Sequence, residues 1–114
     1  MRLKSEIWVS AYLRRCAVEG AFAVLRRRGA AEAGAIFVLV DRLDGTARLF
    51  GPAPQSLADE DAGVRLFAPV PLKSGPTPAA AEERLRREID FDSDLWIVDV
   101  EDREGRHFLD LARE

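Results

Sequence analysis

The chain has 114 residues, 47% hydrophobic and 32% charged, the size and balance of one domain around one core. Seventeen Lys and Arg against 20 Asp and Glu leave a net charge of -3, so no global field draws it to nucleic acid or an anionic membrane, and any anion site must be local. A single cysteine, Cys16, excludes an intramolecular disulfide and a cysteine-based zinc cage. No apolar run approaches the ~20 residues of a membrane span, and Met1 to Glu6 opens no signal-peptide pattern, so the expected setting is cytoplasmic.

Along the chain, Glu6 to Leu13 alternates at Ile7, Val9, Ala11 and Leu13 and predicts a strand. Ile7, Trp8, Ala11, Tyr12 and Arg15 also make a helical stripe, which is the competing reading. From Ala17 the spacing changes. Val18, Phe22 and Leu25, joined by Ala21, fall at i, i+4 and i+7 and predict a helix that ends at Gly29, behind Arg26, Arg27 and Arg28. Gly20 weakens that helix by roughly 1 kcal/mol relative to Ala, and a strand over Phe22 to Arg28, paired with the next one, competes with it. Gly29 and Gly34 then read as helix stop and strand start.

The clearest local signal is a β-hairpin from Ala35 to Gly51. Ala35 to Val40 is apolar and β-branched, Asp41 to Thr46 carries turn chemistry, and Ala47 to Phe50 resumes a strand before Gly51 and Pro52. A surface connection follows from Pro52 to Gly63. Val64 to Ala68 is then a short strand whose closing prolines, Pro69 and Pro71, favour an edge. Thr77 as N-cap and Pro78 at the first helical position start a helix, with Ala81, Leu85 and Ile89 as its buried stripe. Leu95 to Val100 is a strand, Asp102 to Gly105 a turn, and Arg106 to Leu109 a return strand making a second hairpin. The expected fold is α+β, a mainly antiparallel sheet with two helices packed on one face, in the order β-α-β-β-β-α-β-β.

Side chains with chemistry are few. Asp90, Asp92, Asp94 and Glu101 have the spacing of a calcium-binding EF-hand loop, but Leu95 stands where that loop needs Gly and Trp96 to Val98 is a strand. The plainer account is that these aspartates cap a helix-to-strand turn. A magnesium ion held by two of them would need a phosphate, and the glycines carry no P-loop Lys with Ser or Thr, so no metal or cofactor is expected. Arg14 with Arg15, and Arg26 with Arg27 and Arg28, are candidates for a phosphate or acidic partner, with nucleic acid the less favoured ligand. A solvated surface is the competing account. His107 is the only histidine and has no nucleophile elbow beside it, and pairing it with Cys16 is uninformative; a small buried Cys fits better. Phe22, Phe37 and Phe67 read as core, while Trp8, Tyr12 and Trp96 are candidates for a partner-binding patch if exposed.

Ile7 to Cys16, Gly20 to Val24, Arg42 to Thr46 running to Phe50-Gly51-Pro52-Ala53, and Asp94 to Val98 with Glu101 to Arg106 together resemble a family of short bacterial proteins known as a domain of unknown function. The resemblance spans essentially the whole chain, implies one domain, and lends no activity, ligand or catalytic residue. With no convergent catalytic set, the expected role is a non-enzymatic protein-interaction or regulatory module. Its partner would be another protein or a second copy, a homodimer paired through a sheet edge. Binding of a phosphate-bearing ligand or nucleic acid through the arginines is the alternative.

Overall fold

Two strands that are apolar on both faces organise the molecule: β2 (Ile36–Asp41), with five of its six residues buried, and β5 (Trp96–Glu101), with four of its six buried. The computed structural model describes residues 3–54 and 64–113. Before β2 come helix α1 (Ser5–Val18) and strand β1 (Phe22–Arg27); after it come β3 (Ala47–Pro52), β4 (Phe67–Pro69) and helix α2 (Pro78–Phe91), leading into β5. The sheet order is β1-β5-β2-β3-β4. β5 runs parallel to β2, Val38 opposite Val98, and every other pairing is antiparallel. Continuous apolar runs suit such central strands, which are covered on both sides.

The α+β class holds, but the helices lie on opposite faces rather than one. α1 covers the face of Ile36, Val38, Phe50, Trp96 and Val98 with Val9, Tyr12 and Cys16. On the other face α2 sets Ala81 and Leu85 against Phe37, Leu39, Leu49 and Ile97. The reason is the period of two along β2: Phe37 and Leu39 on one side, Ile36, Val38 and Val40 on the other, all needing cover.

The order of elements also differs, α-β-β-β-β-α-β. Glu6 to Leu13 is helix, not strand: its buried positions are Ser5, Val9, Tyr12 and Cys16, a spacing of four, three and four. Gly20, at φ +83°, ends α1 instead of interrupting a helix, and the N–H groups of Gly20 and Ala21 donate to the carbonyls of Ala17 and Cys16. The following segment is therefore the competing strand, β1, and it pairs with β5 rather than with the next strand. A bulge breaks its register between Leu25 and Arg27.

The hairpin from Ala35 to Gly51 forms as expected, with Val38 opposite Phe50 and Asp44 accepting from Thr46 in the turn. β4 is shorter than Val64 to Ala68 and lies at the sheet edge, where its proline is tolerated. Most of the connection expected over Pro52 to Gly63 lies outside the described residues. Thr77 caps α2, its hydroxyl accepting from the Ala80 N–H at 3.2 Å. No second hairpin forms. β5 already has β1 and β2 on its two sides, so Arg106 to Leu109 finds no ladder to join. The chain instead crosses beneath α1, and Leu111 bridges to Phe67 at the β4 edge.

Glycines 29 and 34 serve close approach rather than turn geometry. A Cβ at either position would collide with the backbone oxygen of Asp94. The loop they bracket docks on the start of β5: the Ala30 N–H donates to Asp94 O at 2.8 Å and the Trp96 indole N–H to Ala30 O at 2.8 Å. Its far side receives α1, whose first N–H groups, on Ser5 and Glu6, donate to the carbonyls of Glu32 and Ala31.

Candidate functional site

With one face of α1 packed, what its other face carries decides what the helix can do. Leu3, just before the helix, and Ile7 are each about half exposed (53% and 48%), Ser10, Ala11, Arg14 and Arg15 are exposed, and Val18 ends the row at 78%. Two clefts flank this row. One, of about 370 Å³, is lined by Glu6, Ile7, Ser10, Ala11, Arg14 and Arg28. The other, of about 220 Å³, lies between Trp8, Tyr12 and Arg15 on the helix and Phe108 and Asp110 on the crossing C-terminal segment.

The structure divides the candidate arginines. Arg26 is spent on structure: its guanidinium forks onto both oxygens of Glu82 (2.7 Å each) and both of Asp99 (2.9 Å each), tying β1 to α2 and β5. Burial opposes its charge, but the hydrogen bonds it donates to Asp99 and Glu82 outweigh that and raise its pKa. Arg27 is spent too, donating to the carbonyls of Ser93 and Leu95. Arg28 lies over the Trp96 ring at 5.1 Å and reaches Glu6 at 3.3 Å. Arg15 sits 6.0 Å over Phe108. Among the described residues Arg14 has no ion-pair or hydrogen-bond partner. So Arg14 and Arg28 meet in one cleft, Arg15 borders the other, and Arg26 and Arg27 belong to neither.

Of the aromatic candidates, Trp96 is core, 1% exposed, and offers no contact surface of its own. Trp8 is half-buried, stacked on Tyr12 at 4.8 Å and tilted against Phe67 at 5.1 Å. Phe22, expected in the core, is 60% exposed because β1 is an edge strand and α2 does not reach over it. Cys16 and His107 form no catalytic pair. Burial raises the Cys16 thiol pKa and keeps it protonated beside Tyr12. The Tyr12 hydroxyl donates to the His107 carbonyl at 2.7 Å, whereas the imidazole faces Phe50 and its Nδ1 accepts from the Leu109 N–H. Burial and nearby Arg48 lower the imidazole pKa, favouring the neutral ring. Asp92 caps the helix-to-strand turn by accepting from the Asp94 N–H at 2.9 Å. Among the described residues no three His, Cys, Asp or Glu side chains gather in a group able to hold a metal ion, and no helix is long and apolar enough to cross a membrane.

A family model described as a protein of unknown function, DUF1491, matches residues 3–110. The chain belongs to the DUF1491 family. A DUF1491 protein from Caulobacter crescentus CB15 is 39% identical in its crystal structure, with a TM-score of 0.81, covering 100% of this chain and 99% of that one. An NMR structure of a DUF1491 family protein from Caulobacter crescentus CB15 gives 40% identity and a TM-score of 0.79, covering 100% and 98%. The solution structure of protein Atu0922 from A. tumefaciens is 44% identical at a TM-score of 0.83, again covering 100% and 98%. Among curated proteins, none matches.

In this DUF1491 chain the sequence reading missed the C-terminal contribution to the second cleft. Phe108, expected in a return strand, adopts φ +55°, a left-handed backbone rare for an aromatic residue, and is flanked by Arg15 and by Arg106 at 5.3 Å. The contact with Arg15, far away in sequence, places it there, so no local pattern could have found it. Chemically, the α1 face offers cations, apolar surface and the hydroxyls of Ser10 and Tyr12.

Proposed function

We propose that this DUF1491 protein is a non-enzymatic, cytoplasmic interaction module that docks a partner protein on the outer face of α1. The observation that carries this is the composition of that face. Leu3, Ile7 and Ala11 stay out of the core while Arg14, Arg15 and Arg28 stand around them, a mixture of apolar area and guanidinium typical of protein contact surfaces. The half-buried Trp8 adds an anchor in the neighbouring cleft. The β1 edge is the weaker candidate. Its bulge and the commitment of Arg26 and Arg27 to the molecule's own contacts blunt it for strand pairing.

Photocrosslinking in the cell tests the reading, with the reactive group placed at Ser10 on the α1 face and, as control, at Ala79 on α2. A discrete product from Ser10 that disappears in the Ile7→Asp variant supports it, and light scattering then tells whether the partner is a second copy. Equal products from both positions, or products unchanged by Ile7→Asp, would sink it.

A further inference from the structure

The geometry points to a phosphomonoester site in the cleft between α1 and the segment following β1, formed by Arg14, Arg28 and Ser10. It rests on the α1 docking face and names a group that a partner presents there. Arg14 arrives from the third turn of α1 and Arg28 from the segment just after β1, so two cations from separate parts of the fold face one space of about 370 Å³. Arg28 is held by its stack on the buried Trp96 ring, which leaves the guanidinium edge to bind. Ser10 lies one turn before Arg14 and adds a hydroxyl donor, and Ile7 and Ala11 give an apolar wall.

The charge of the ligand follows from Glu6. That carboxylate already touches Arg28, but at 3.3 Å, slack beside the 2.7 Å of Arg26 on Glu82. A monoanion arriving from solution gains little by replacing a tethered carboxylate, whose effective concentration is high. A phosphomonoester carries nearly two charges and three acceptor oxygens, so it can displace Glu6 and span both guanidiniums. A phosphodiester, as in nucleic acid, has one charge and lacks that advantage.

The test is an NMR titration of the isolated chain with inorganic phosphate at about pH 7.5, where the dianion dominates. Saturable shifts of the Arg28 Nε–H and the Trp96 indole N–H are expected. Arg14→Gln, which breaks no contact within the described fold, should weaken binding about tenfold, and Glu6→Gln should tighten it about threefold. A phosphoserine peptide and glycerol phosphate, run side by side, distinguish a phosphorylated partner from a free small molecule by which binds tighter. Shifts that match sodium chloride of equal ionic strength, an unaltered affinity in Arg14→Gln, or equal binding of dimethyl phosphate would overturn the site. A negative titration leaves the crosslinking result standing, so the two readings fail separately.

Discussion

Asp102 shows how one residue of a turn can serve stability. It is buried, and its carboxylate accepts three hydrogen bonds from Arg106: from the backbone N–H at 2.9 Å, from Nε at 3.1 Å and from Nη2 at 2.8 Å. The Arg106 side chain is the main reason its pKa falls to about 2. An unfolded aspartate titrates near 3.9, so the folded state favours the ionised form; the resulting stability is complete above about pH 4 and is lost as pH falls through about 2. Because Arg106 is partly exposed and screened, about 1–2 kcal/mol is the expected size. Urea unfolding of the wild type should therefore weaken more steeply between about pH 4 and pH 2 than that of Asp102→Asn. Parallel curves for the two proteins would refute this account.

At the scale of elements, legibility depended on whether the deciding contacts were local. The β2–β3 hairpin and the entry of α2 were readable because turn residues and the Thr77 cap act within a few positions. α1 was misread because its buried face includes Ser5, which no apolar count marks, and Cys16, which lies beyond the alternating stretch, while Ile7 and Ala11 on the outer face counterfeit a strand's alternation. The proposed docking surface rests on the same surplus of apolar residues outside the core, so the misreading and the proposal share one cause. Arg14 and Arg15 were legible as candidates, whereas the separation of Arg28 from Arg26 and Arg27 depended on the bulge in β1. The loop joining β1 to β2 was equally hidden, since its glycines answer to the distant Asp94 carbonyl and the loop to the α1 start it receives. Gly29→Ala should cost about 1–3 kcal/mol by forcing that backbone apart, and the loss should reach α1 through Ala31 and Glu32. Thermal unfolding and the amide shifts of Ser5 and Glu6 would check both; unchanged stability would contradict the packing argument.

For the whole molecule, strand order predicts where the fold opens first. β5 and β2 have neighbours on both edges and helices on both faces, while β1 has one neighbour and carries Phe22, Val24 and Leu25 in partial exposure. Amides of Val38 and Val98 should thus exchange only through global unfolding, and those of β1 through a local opening of lower free energy. What restrains β1 is Arg26, whose two forks clamp it to Glu82 on α2 and Asp99 on β5. Removing one partner of such a pair leaves the other charges uncompensated, so Arg26→Ala should destabilise β1 itself more than the sheet centre. Hydrogen exchange followed residue by residue distinguishes the cases. Faster exchange confined to the β1–β5 ladder is the expected outcome, whereas a uniform acceleration through Val38 and Val98 would mean that β1 is an integral part of the cooperative core and that its edge does not open on its own.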